Sequence, residues 1–313
     1  MVSLSDASRL ILLSAIWGAS FLFMRIAVPE FGPISTTFTR IAGAALALLP
    51  FLLRPGNRSA LRDCKLPLAI LGLFNSALPF SLFCWASLHL TSGFCSLLNA
   101  TTPICTALIG FCWLRIPLTR FQGLGLLVGL VGIAILTGDR LDFSRDGAGW
   151  PILAVLGATC CYGFAGHYAR TRLAHVPPLT VSAGSLLAAT LMVLPLVLLF
   201  PPPALPGKGA LASALALALL CTALAFLLFF DLLKRNGATA AATVTFIIPV
   251  FGILWGALLL QEEVTGRMIL GMMIALLGTA FVTRLLPRQR SQPMRPSAPV
   301  SSSEVDRTEK GAG

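Results

Sequence analysis

Few side chains in this sequence could do chemistry, and most of those stand inside long apolar runs. Arg40 lies several residues into one of them, TTFTRIAGAALALLP. A guanidinium stays protonated inside proteins, so at such depth it either grips an anion through its planar fork or reaches for water and backbone carbonyls. Asp231 precedes Lys234 and Arg235 by three and four residues. That spacing puts the three on one helical face as a local ion pair, with a proton-carrying acid as the alternative. His167 is the only histidine within an apolar run, and its titration range suits proton coupling, although a lone histidine near a helix end is as a rule structural. Arg25 and Arg170 stand at run ends, where snorkelling to the interface is the default. No phosphate-binding glycine loop occurs, and no Cys, His, Asp or Glu set has metal-ligand spacing. Neither ATP, nor a metal, nor another cofactor is expected. An intramembrane enzyme would have to work with Asp231 and His167 alone, on different runs.

A second group is polar without being charged. The stretches LNATTPICTALIGFCWL (98–114) and VTFIIPVFGILWGALLL (244–260) each carry a proline near the middle, Pro103 and Pro249. A proline removes one helical hydrogen bond and frees the carbonyl four residues earlier, here that of Asn99 and that of Thr245. Each helix would then offer a kink, a loose acceptor and a polar side chain at membrane depth, which is tolerated where it faces protein or a water-filled cavity. A solute site between the two helices is one reading, and a packing kink satisfied by a neighbouring Ser or Thr is the other. Trp17-Gly18 and Tyr162-Gly163 each pair an aromatic wall with a glycine that permits close approach. With Asn75 and Trp85, the candidate solute-binding set is Trp17, Arg40, Asn75, Trp85, Asn99, Tyr162 and Thr245, with Pro103 and Pro249 as hinges.

The spacing of these residues shows how they must be positioned. Adding 146 converts Pro103 to Pro249, Gly110 to Gly256, Thr119 to Thr265, Gly125 to Gly271 and Gly132 to Gly278. An offset of 145 relates Gly18 to Gly163, Arg25 to Arg170, Pro33 to Pro178 and Pro50 to Pro195. The chain is one unit written twice, expected over 8–138 and 150–286.

Each unit is expected to be membrane-embedded. Hydrophobic residues make up 56% of the chain and charged residues 11%, against about 25% charged in soluble domains. Ten apolar runs, near 8–28, 34–54, 66–88, 92–114, 121–138, 150–169, 179–200, 210–233, 238–260 and 266–286, approach the ~20 residues that span a bilayer as a helix. None alternates as barrel strands do, so the fold class is an all-α integral membrane bundle. The first run lacks the cleavage site of a signal peptide and recurs in the second half. Five spans per unit is an odd number, so the second unit enters the membrane inverted, as in alternating-access carriers.

The net charge of +11 does not point to nucleic acid, because the basic residues sit in loops and the tail without a basic helical face. Most of them, including Arg54, Lys65, Arg115, Arg120, Arg172 and Arg235, fall on one side if the N-terminus is cytoplasmic. The positive-inside rule then places both termini in the cytoplasm. The eight cysteines lie almost entirely in apolar runs and read as small hydrophobes. Gly125-x-x-x-Gly129 and Gly252-x-x-x-Gly256 read as helix-packing faces. The segment 287–313, rich in Pro, Ser and charge, is expected to be a disordered cytoplasmic tail.

Trp17-Gly18, Arg40, Pro103, Pro249 and the Glu262-x-x-Thr265 turn, in this order and with duplicated spacing, resemble the drug/metabolite transporter superfamily. The closest likeness within it is to the ten-span EamA-type transporters with two EamA repeats, over about residues 8–286. One departure is Ile116-x-x-Thr119 in the first repeat, which lacks the acid equivalent to Glu262. The resemblance implies ATP-independent export or exchange of a small metabolite such as an amino acid, in a bacterial-type plasma (inner) membrane. The partners would be a small-molecule solute and the lipid bilayer, with protons as a candidate coupling ion and either a monomer or a homodimer. No carboxylate lies inside the first apolar run, where a carrier of cationic drugs would be expected to keep a membrane-embedded one, so neutral, zwitterionic or anionic solutes suit Arg40 better. A channel or scramblase-like facilitator is the competing class.

Overall fold

A computed structural model describes residues 4–145, 147–202 and 205–284. The expected tail at 287–313 lies outside the described residues. Among those described, every regular element is helical. Ten helical stretches are long and apolar enough to cross a membrane: Asp6–Phe31, Pro33–Leu52, Lys65–Ala86, Ser92–Leu114, Arg120–Thr137, Gly149–Arg172, Pro178–Leu199, Lys208–Arg235, Thr243–Leu260 and Gly266–Thr283, here spans 1 to 10. A short helix, Pro55–Asp63, occupies the loop between spans 2 and 3.

Local chemistry fixes the tight connections. Spans 1 and 2 are joined by Gly32 alone, whose φ of 75° is open to glycine at no steric penalty, and Pro33 then starts the next helix. Span 5 opens on a reciprocal cap in which Thr119 and Gln122 satisfy each other's backbone N–H groups.

The duplication extends to unusual backbone. Arg115 and Gln261, related by the 146 offset, are the two non-glycine residues with left-handed φ among those described, at 53° and 54°. In each case the following N–H, of Ile116 or Glu262, donates to a glycine carbonyl, Gly110 or Gly256, at 3.1 Å. Wide π turns occur at Leu73–Ala77 and again at Leu219–Leu224, the same place in each repeat.

Polar ties show that consecutive spans alternate in direction. Arg25 Nη1 donates to the Ser87 carbonyl at 2.7 Å, the Gly207 N–H to Glu30 at 2.6 Å, and Arg267 Nε to the Ile135 carbonyl at 2.7 Å. These gather one end of spans 1, 3, 5, 8 and 10, called the far end below. At the other end, the near end, Arg9 at the start of span 1 meets Asp231 at the close of span 8.

Packing follows the same two-fold logic. Span 5 lies along span 10 and span 2 along span 7, each pair being its own counterpart. Span 1 packs on spans 8 and 9 as span 6 packs on spans 3 and 4. The span 5–span 10 seam is lined by Gly125, Gly129, Gly132 and Gly278, and a Cβ on Gly132 or Gly278 would strike the backbone opposite. These glycines therefore pack the chain on itself.

Two expectations need correction. The prolines of spans 4 and 9 are not conformational equivalents. Span 4 breaks at Ala100–Thr101, between helices Ser92–Asn99 and Thr102–Leu114, whereas Pro249 lies within span 9, Thr243–Leu260, which is helical throughout. The Asn99 carbonyl is not loose either, since the Thr102 hydroxyl donates to it at 2.7 Å. The bond that proline removes is thus replaced by a neighbouring threonine. The loop expected between spans 8 and 9 is also helical in backbone. The chain nonetheless reverses there, because Cys221 contacts Ile16 and Gly252 contacts Gly18, adjacent points on span 1. A straight helix would hold Cys221 and Gly252 roughly 46 Å apart.

Candidate functional site

Span 2 carries Arg40 into the bundle interior, where it is 6% exposed. Its Nε donates to the Thr222 hydroxyl of span 8 at 3.0 Å, and Nη1 lies 3.9 Å from the Met24 sulfur of span 1. The guanidinium carbon sits 3.8 Å from the centre of the Phe80 ring of span 3. Thr222 can serve because the π turn that contains it directs its own hydroxyl proton to the Leu217 carbonyl at 2.8 Å, leaving an oxygen lone pair for Arg40. Among the described residues no carboxylate stands within ion-pair distance of Arg40. A desolvated cation–π contact contributes about 2 kcal/mol, and desolvating an ion costs several. The charge is therefore held with less than its full complement of partners.

An aromatic line leads away from this point. Tyr162 of span 6 packs on the apolar cluster that contains Phe80 and stacks on Phe83, with ring centres 6.2 Å apart. Phe83 meets Phe21 edge-on at 5.6 Å, and one turn before Phe21 stands Trp17, in contact with Phe229 at 5.3 Å. Tyr162 thus shares an apolar cluster with Phe80, the ring under Arg40, and Trp17 stands on the same side of span 1 as the Phe21 end of the ring line. Asn75 lies half-buried in the first π turn. Asn99 and Thr245 are half-buried at matching positions of spans 4 and 9. Trp85 is 37% exposed and contacts His89.

The far end holds a tie that the sequence did not announce. Glu262, in the turn after span 9, reaches the first residues of span 4. Its Oε1 accepts from the Ser92 N–H at 2.7 Å, and Oε2 accepts from the Ser92 hydroxyl at 2.8 Å and the Gly93 N–H at 3.1 Å. A carboxylate on unpaired N–H groups at a helix start gains from both hydrogen bonding and the helix dipole. Glycines make the approach possible: a Cβ on Gly256 would meet Ser92, and one on Gly252 would meet Ser96. The sequence showed the acid in its turn but not its target, which lies 170 residues away.

The near end is built differently. Asp231 accepts from Arg9 at 3.0 Å and from Arg235 at 3.0 Å, with all three side chains substantially exposed. His167 binds the Thr106 carbonyl through Nε2 at 2.9 Å, a tie between spans 6 and 4. Gly110, the counterpart of Gly256, has His167 and Ile116 as its closest neighbours, whereas Gly256 faces span 4. Among the described residues, spans 4 and 9 meet along the far half of span 4 and have no comparable contact along its near half, Thr102–Leu114.

A model of the EamA-like transporter family matches residues 7–138 and again residues 149–284. The chain belongs to this family. Curated relatives align over most of their length. The uncharacterized transporter YoaV of Bacillus subtilis (strain 168) is 24% identical over 90% of this chain and 97% of its own. A protein of Streptantibioticus cattleyicolor named as a probable terminal-alkyne amino-acid exporter is 23% identical over 92% of this chain and 96% of its own. The uncharacterized inner membrane transporter YedA of Escherichia coli (strain K12) is 25% identical over 77% and 78%. One solved crystal structure superposes with a TM-score of 0.62, at 21% identity, over 92% of this chain and 99% of its own, which establishes a shared fold. This EamA-like protein is accordingly a multi-pass membrane transporter whose partners are a small-molecule solute and the lipid bilayer.

Proposed function

We propose that this EamA-like protein is a secondary carrier that exports a small metabolite, of the amino-acid class, by alternating access. One observation carries the reading: spans 4 and 9 converge at the far end and part at the near end. In an inverted duplication the opposite arrangement, near half joined and far half parted, is available to the same chain by exchanging the conformations of the two repeats. Basic residues cluster at the near end, so that end faces the cytoplasm. The arrangement described is then open to the cytoplasm, with Arg40, Tyr162, Asn99 and Thr245 along the path. Solute enters from the near end, and the spans rearrange. Release at the far end requires Glu262 to leave Ser92 and Gly93. Export of amino acids is favoured by the relative named as an amino-acid exporter.

The test is flux from proteoliposomes loaded with labelled amino acids, nucleosides or organic acids, with and without a pH gradient. Saturable efflux with counter-transport is the expected result, and dependence on the gradient would identify protons as the coupling ion. Flux that never saturates would instead identify a channel-like facilitator.

A further inference from the structure

Arg40 lies in the interior with fewer partners than its chemistry requires. A guanidinium presents five N–H donors and cannot shed its charge by deprotonation. Here Nε is satisfied by Thr222, and one Nη1 hydrogen points at a thioether sulfur, a weak acceptor. The remaining donors have no acceptor among the described residues. Two further donors are buried nearby. Thr37, one turn before Arg40 on the same face of span 2, and Ser76, one turn before Phe80 on span 3, are both 0% exposed, and neither hydroxyl makes a hydrogen bond of ordinary geometry. The Cys84 thiol stands beside Thr37 and is a weak partner.

We infer that Arg40, with the hydroxyls of Thr37 and Ser76, forms a binding site for the single carboxylate of a small solute with an apolar body. This rests on the carrier reading for its purpose, though not for its geometry. Buried donors without acceptors call for an anion, and a planar fork matches a carboxylate through two parallel N–H bonds. A single positive charge balances one negative charge and would leave a dicarboxylate or a phosphate dianion undercompensated. The groups in contact with the guanidinium are otherwise apolar or aromatic, Met24 beside Nη1 and the Phe80 ring over its plane, which suits a solute with a hydrocarbon body. The site is also unique to one repeat. The counterpart of Arg40 is Ser185, whose hydroxyl is already given to the Ser182 carbonyl, and the counterpart of Thr222 is Ser76 itself. One solute is therefore bound per chain, off the pseudo-two-fold axis.

The experiment is calorimetric titration of the purified full-length protein in detergent with 3-phenylpropionate, phenylalanine and 3-phenylpropionamide. The expected result is one site per chain for at least one of the two acids and binding at least about tenfold weaker for the amide. The two acids differ only in the amino group, so their ratio separates a plain acid from a zwitterion. Arg40→Lys, which keeps the charge but loses the fork, should weaken binding by about tenfold or more. Arg40→Met should abolish binding without lowering the ligand-free melting temperature. An amide that binds as well as the acid, Arg40→Lys binding unchanged, or no binding by either acid would each overturn the site. If Arg40→Met does not fold, the acid–amide comparison on the unaltered protein still decides. Failure here leaves the carrier reading intact if efflux of uncharged solutes saturates, whereas absence of all flux sinks the carrier without touching the titration.

Discussion

The two ends of this bundle are made from duplicated sequence and yet close by different means. At the far end a carboxylate seats on a helix start and accepts three hydrogen bonds, and glycines let spans 4 and 9 touch. At the near end the matching residue is Ile116, so the acid is missing, and Gly110 faces His167 of span 6 instead of the paired span. Asp231 and Arg235 form an ion pair near this end, whereas their counterparts Trp85 and His89 make a ring contact at the far end. Outside the break in span 4, duplication has preserved unusual backbone, including the left-handed Arg115 and Gln261 and the paired π turns. Side chains have diverged, and the ties at the two ends have diverged with them. In a carrier of this design, related backbones would make both states accessible, and unequal side chains would set the balance between them.

The largest expected effect falls where the repeats remain alike. Gly132→Val and Gly278→Val each force a side chain into backbone across the span 5–span 10 seam, and each should cost about 2–4 kcal/mol of stability. Yield of monodisperse protein in detergent would show it, and a large difference between the two would break the symmetry of the seam. Next is Glu262→Ala. Hydrogen bonds to a charged group contribute roughly 1.5–3 kcal/mol, so its loss should raise the far-side reactivity of a cysteine at Ser96 by about tenfold or more. Unchanged reactivity would mean that the clasp does not hold the far end. Asp231→Asn removes exposed ion pairs worth under about 1 kcal/mol and should change transport by no more than about twofold, with less effect at high salt. The smallest effect is expected from Ile116→Glu, because Gly110 beside it faces His167 of span 6, where Gly256 faces the first residues of span 4. Near-side reactivity of a cysteine at Thr245 should stay within about twofold of the parent. A clear drop would show that the acid alone makes the ends unequal.

Ten spans and their duplication were legible in the sequence because lipid imposes lengths and periodicities that few residues can disguise. Candidate positions were legible only as far as a single helix carries information. Arg40 announced itself by its depth, but its partners Thr222 and Phe80 come from spans 8 and 3, and nothing local to span 2 names them. The proline rule gave a missing bond at Asn99 without saying that Thr102 would replace it, or that span 4 would break while span 9 would not. Glu262 was visible as an acid in a turn. Its role depends on where span 4 begins in space, which only packing determines.

The most direct test of the central claim uses the counterpart pair Asn99 and Thr245, each replaced singly by cysteine in a background whose eight native cysteines are substituted. Labelling with a membrane-impermeant maleimide in right-side-out and inside-out vesicles reads access from each side. The account predicts reaction of both positions from the cytoplasmic side and neither from the outside in the absence of solute. Reaction from the outside alone would contradict it, as would equal reaction from both faces.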